Sequence, residues 1–143
     1  EWPGTLQPCD VKVPCVSSDY FPTISAIAAL PLAKRPYDGI NILPILRGKK
    51  SQRNHSIGFR FGKDRTLVDD RYKLVHTAGG LSRRRSDNGT TPVREFELYD
   101  LDADPSETQN IATSSPAVMT RMKGELIAFI KSCTASAESA DYR

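Results

Sequence analysis

The sequence is poor in the residues that most often do chemistry. It has only two histidines, His55 and His76, and three cysteines, Cys9, Cys15 and Cys133, with no Cys-x-x-Cys pair. The spacing of a structural zinc site is therefore missing. Neither histidine has a carboxylate pair beside it in the chain, which argues against a metal site built on them. No serine stands in a nucleophile-elbow context, and no glycine-rich phosphate loop is present. No apolar run is long enough to span a bilayer. The chain opens on Glu1 rather than methionine, without a leader pattern, so it reads as cut from a longer protein. Cys9 and Cys15 are close enough along the chain to close a small disulfide loop, and the odd count leaves at least one thiol over.

What is present is about one domain's worth of chain: 143 residues, 38% hydrophobic, with 10 prolines and 9 glycines. Such a length can bury a core if its apolar clusters meet, and the prolines and glycines predict many turns and short elements. The net charge of +3 hides an uneven distribution. Lysine and arginine crowd residues 47–85, and aspartate and glutamate follow over 95–107. Pairing of the two signs across a sheet is one reading; a basic face toward an anionic ligand is the other.

Prolines at 3, 8 and 14 keep the first 15 residues extended. A helix is predicted over about 17–29, with Ser17 or Ser18 as cap and Tyr20, Ile24, Ile27 and Ala28 on one stripe. The Asp38-Gly39 turn leads into an apolar patch over 40–46, in which Pro44 allows a turn or two of helix before Gly48. Strands are predicted at 56–61, 66–68, 72–76 and 95–101. The first should set Ile57, Phe59 and Phe61 against Ser56, Gly58 and Arg60; the last should set Phe96 and Leu98 against Glu95, Glu97 and Tyr99. Asp69, Asp70 and Arg71 form a hairpin connection, in which aspartates serve as turn residues rather than as a metal or base pair. Residues 77–94 are a long polar loop carrying Arg83, Arg84 and Arg85. A last helix begins at Ser115-Pro116 and ends near Cys133, burying Met119, Met122, Leu126, Phe129, Ile130 and Cys133. The fold class that follows is α+β: a small antiparallel sheet of about four strands against a C-terminal amphipathic helix, with a second helix near the N-terminus. Residues 1–133 form one subdomain, and 134–143 a frayed tail.

Four stretches, in this order, resemble the C-terminal portion of sulfatases of the alkaline-phosphatase superfamily. They are Trp2-Pro3-Gly4 with the run from Val16 to Ile24; Asp38 to Gly48; Val68 to Val75; and Glu97 to Glu107 with Asn110. The closing amphipathic helix completes the pattern, which covers about residues 1–133. Each stretch is a packing or turn device, and none is catalytic.

The resemblance implies a parent enzyme that hydrolyses sulfate esters, with a formylglycine nucleophile and a calcium site in an N-terminal catalytic domain that precedes Glu1. It places neither in this chain. The family's last sulfate-binding lysine also falls before the Trp-Pro-Gly segment. Cys133-Thr134-Ala135-Ser136-Ala137 matches four positions of the nucleophile motif, but Ala137 stands where that motif needs arginine. On this resemblance the chain would support the catalytic domain and shape its substrate pocket, inactive alone. His76 with Arg83, Arg84 and Arg85 would bind an anionic, sulfated substrate at the mouth of the site. The partner is the catalytic domain, with no nucleic acid and no membrane, and the compartment is periplasmic, extracellular or lysosomal. A surface around Phe21, Ile24 and the 40–46 patch should be apolar and exposed, favouring self-association of the separated piece. Two alternatives stand beside it: the tail of a phosphodiesterase or phosphonate hydrolase of the same superfamily, and a free-standing polyanion-binding module. Asn54-His55-Ser56 and Asn88-Gly89-Thr90 fit the short glycosylation acceptor pattern.

Overall fold

The computed structural model describes residues 2–77 and 95–139. Four strands, β1 (Ile57–Phe61), β2 (Asp64–Val68), β3 (Tyr72–His76) and β4 (Phe96–Asp100), form one antiparallel meander in chain order. The predicted α+β class holds. Its register explains the core. Gly58, Leu67, Leu74 and Leu98 stand opposite one another across the sheet, so alternation sends all four positions to the same face. Helix α3 (Pro116–Ala137) covers that face with Met122 and Leu126, and these five apolar side chains are essentially out of water. Burying each is worth roughly 1.5–3 kcal/mol. Gly58 is small because a Cβ there would lie 2.6 Å from the Phe129 ring.

The first strand keeps the predicted division of faces, and the structure adds which face meets α3. Alternation puts Ile57, Phe59 and Phe61 together, on the face away from α3. Ile57 is buried there, whereas Phe59 and Phe61 are exposed. At the other end, α3 runs past Cys133 to Ala137. Alanines 135 and 137 favour helix, and no glycine or proline interrupts this stretch.

The chain after β4 seals that strand's outer edge. The Ile111 amide donates to the Leu98 carbonyl at 2.8 Å, and Asn110 Oδ1 accepts from the amides of Leu98 and Ala112. The preceding loop is held by Asp104, whose carboxylate takes the Thr108 and Gln109 amides at 2.7 Å each, and by a Lys73–Glu107 ion pair at 2.7 Å. The acidic run after β4 is thus a strand cap and a loop clamp.

The N-terminal part is organised around polar groups. A 3-10 turn, Ser17–Asp19, leads into α1 (Tyr20–Ile27), shorter than predicted, and a single turn, α2 (Leu43–Leu46), follows. Neither Ser17 nor Ser18 caps the helix; Asp19 accepts the Val16 amide instead, at 2.9 Å. The inward side of α1 carries Pro22, Thr23 and Ser25, while Tyr20, Phe21, Ile24 and Ile27 are exposed. Thr23 Oγ1 takes the Ile42 amide at 3.1 Å, tying the Asp38-Gly39 turn to α1. Gly39 is required there, because a Cβ would stand 2.0 Å from the Ser18 carbonyl oxygen. Phe21 and Ile24 are exposed as expected, but Leu43 and Ile45 of the 40–46 patch are buried. The expected turn of helix forms, and it points these two side chains inward.

Candidate functional site

His76 closes β3, and its position decides what it can do. Its Nε2 lies 3.3 Å from Glu95 Oε1, and its ring packs on Phe96 with centroids 4.7 Å apart. Its buried Nδ1 has no hydrogen-bond partner among the described residues. The residues predicted to work with it, Arg83, Arg84 and Arg85, lie outside the described residues, as does Asn88.

A second feature had no local signal in the sequence. A cleft of about 770 Å³ opens between the start of β1, the β2–β3 turn and α3. Leu67, Tyr72 and Phe129 line its apolar part, and Asn54, His55, Asp70, Arg121 and Glu125 its polar rim. Arg121 holds that rim together, with Nη2 at 2.6 Å from Asp69 Oδ2 and Nη1 at 2.7 Å from Glu125 Oε1. The Asp69 hydrogen bond, against some desolvation, raises the Arg121 pKa further above its ordinary range, so the guanidinium stays charged. Ser56 Oγ donates to Glu125 Oε2 at 2.6 Å, which fastens β1 to α3. The network fixes the charged and hydrogen-bonding groups of the cleft rim.

The aspartates of the hairpin do turn work. Asp69 Oδ1 accepts the amides of Arg71 and Tyr72, and Asp70 accepts those of Arg53 and Asn54. Cys9 and Cys15 are exposed and free; Cys133 is half-buried on α3. His55 is exposed at the cleft rim.

Solved structures share the fold. A protein from a Bacteroides thetaiotaomicron core genetic locus for metabolism of multiple glycosaminoglycans is 26% identical, with a TM-score of 0.54 over 80% of this chain and 24% of that one. A 2-O GAG sulfatase is 22% identical, with a TM-score of 0.53 over 85% of this chain and 26% of its own. A Bacteroides fragilis protein assigned as a sulfatase is 18% identical, with a TM-score of 0.60 over 91% of this chain and 28% of its own. The chain has the fold of a sulfatase's C-terminal portion. It spans about a quarter of the length of these sulfatase structures. No protein-family model matches the sequence, and no curated protein matches it.

A sulfatase-type calcium centre needs converging oxygen ligands. Among the described residues no group of three or more His, Cys, Asp or Glu side chains is placed to hold a metal. Among the described residues no helix is long and apolar enough to cross a membrane.

Proposed function

We propose that this chain is the C-terminal subdomain of a sulfatase, a sulfuric ester hydrolase, in which it supports the catalytic domain and shapes the substrate pocket. The observation that carries this reading is the outward face of α1. Tyr20, Ile24 and Ile27, followed by Leu30 and Leu32, are 64%, 61%, 45%, 62% and 41% exposed, while the helix's polar side faces in. Contiguous apolar surface of this kind marks a face that another protein surface covers. The catalytic domain of the parent is that surface, and its nucleophile and calcium belong to it. By itself the chain is inactive. Its substrate class is a sulfated saccharide, in keeping with the glycosaminoglycan-related likeness, and His76 with Arg83, Arg84 and Arg85 contributes charge at the pocket mouth. A periplasmic, extracellular or lysosomal parent follows from the same reading.

The test is to sequence the coding region upstream of the codon for Glu1. The reading expects a Cys-x-Pro/Ala-x-Arg motif a few hundred residues earlier, with acidic metal ligands around it. A start codon or an unrelated sequence there would end it.

A further inference from the structure

The register that lines up the core leucines also lines up two arginines, a histidine and a phenylalanine. Two pairs beyond the leucines, Arg60 stands opposite Arg65, Arg65 opposite His76, and His76 opposite Phe96. All four share the α3 face, because each is two residues from a core position. From α3, Lys123 sets its ammonium 4.0 Å from the centre of the Phe96 ring. Neighbouring strands lie about 4.8 Å apart, so the row extends roughly 14 Å.

Like charges directly opposite each other on a sheet repel. Arg60 and Arg65 are such a pair, and among the described residues neither is ion-paired. Arg65 is held in place by its own hairpin, where Nη1 donates to the carbonyls of Gly62 at 2.8 Å and Asp64 at 2.7 Å. Asp64 itself pairs in register with Phe61 and so belongs to the opposite face. Glu95, beside His76, is the carboxylate that borders the row. Arg60, Arg65 and Lys123 make a line of positive charge, and the Phe96 ring within it is covered by Lys123 and packed against His76. Base stacking by single-stranded nucleic acid would have to displace Lys123 and His76 from the Phe96 ring. Sulfate groups along a saccharide need only the charges and the guanidinium donors.

We propose that Arg60, Arg65 and Lys123, with His76, form a binding row for the sulfate groups of a linear sulfated saccharide, separate from the chemistry of ester hydrolysis. This rests on the sulfated-saccharide reading above and adds residues that reading does not use.

The experiment is a salt titration of binding between this chain and a heparin-derived oligosaccharide, for the natural sequence, Arg60→Ala/Arg65→Ala and Arg60→Lys/Arg65→Lys. The double alanine variant should bind about tenfold more weakly at low salt, and its slope of log K against log salt should fall by about two. The lysine variant should keep the slope, and a desulfated oligosaccharide should not bind. Matching thermal midpoints would show that the variants fold. Unchanged affinity and slope in the alanine variant would overturn the row. So would equal binding of single-stranded DNA at the same anion concentration, which would reassign it to nucleic acid. Neither result touches the sulfatase reading, which stands or falls on the upstream sequence.

Discussion

Arg53 and Asp19, 34 positions apart, meet in a two-point ion pair from which water is excluded. Nη1 lies 2.6 Å from Oδ2 and Nη2 lies 2.8 Å from Oδ1, and the two side chains are 1% and 0% exposed. Asp19 also accepts the amides of Val16 and Ile40, and Arg53 Nε donates to the His55 carbonyl at 2.7 Å. One carboxylate therefore joins the start of α1, the Asp38-Gly39 turn and the approach to β1. The exposed apolar face of α1 is presented on this support.

Asp19→Asn leaves the buried guanidinium without its counter-charge. Removing one partner of a buried pair costs about 3–5 kcal/mol. We expect a urea midpoint lowered accordingly, with Asp19→Leu/Arg53→Met recovering part of the loss because neither charge then remains buried. An Asp19→Asn midpoint equal to that of the natural chain would show that the pair does not hold this region.

Acid should act on the same support. Burial pushes the Asp19 carboxyl up, but the Arg53 hydrogen bonds, the Ile40 and Val16 amides and the Arg53 charge outweigh it and hold it below the ordinary 3.8. Arg71 lowers Asp100, and the Gln109 and Thr108 amides lower Asp104. In the unfolded chain all three return to ordinary values and take up protons first as pH falls. The stability they contribute is complete above that ordinary value and is lost as pH drops below 3.8 through the lowered folded values. Denaturation followed between pH 6 and pH 2 should show a flat upper range and a decline at the acid end, less steep for Asp19→Asn. A decline that begins near neutrality would contradict this.

The face of α1 should govern association. Ile24→Lys places charge in the centre of the exposed stripe without touching the core, where surface changes are usually worth within about 0.5 kcal/mol. Analytical ultracentrifugation should find the natural chain self-associating at high concentration and the variant monomeric, with equal thermal midpoints. Identical sedimentation of both would remove this face as the sticky surface.

At the proposed pocket mouth, the readout is kinetic and needs the parent enzyme. Replacing His76, Arg83, Arg84 and Arg85 by alanine should raise KM for a sulfated substrate by about tenfold and leave kcat unchanged, the pattern of lost uniform binding. Unchanged Michaelis constants would remove these four residues from substrate binding.

The strands and the last helix were legible in the chain because each is a local pattern. Period-two alternation marks β4, the short polar turn at Asp69 to Arg71 joins β2 to β3, and the Met122 and Leu126 stripe announces α3. The acidic run after β4 was also readable as turn chemistry, and the structure adds that Asn110 closes the sheet edge. The sulfatase-like order of motifs rests on these same devices.

What tertiary structure alone decided is which way each pattern faces. Periodicity shows that α1 has an apolar stripe, and the sulfatase resemblance set Phe21 and Ile24 outside; packing adds that Thr23, Ser25 and Asp19 take the inside. It likewise turned Phe59 and Phe61 outward and Leu43 and Ile45 inward. The ion pair of Asp19 with Arg53 and the alignment of Arg60 with Arg65 and His76 depend on long-range docking and strand register. Local propensity carries no information about either, because their partners meet only after the chain has folded.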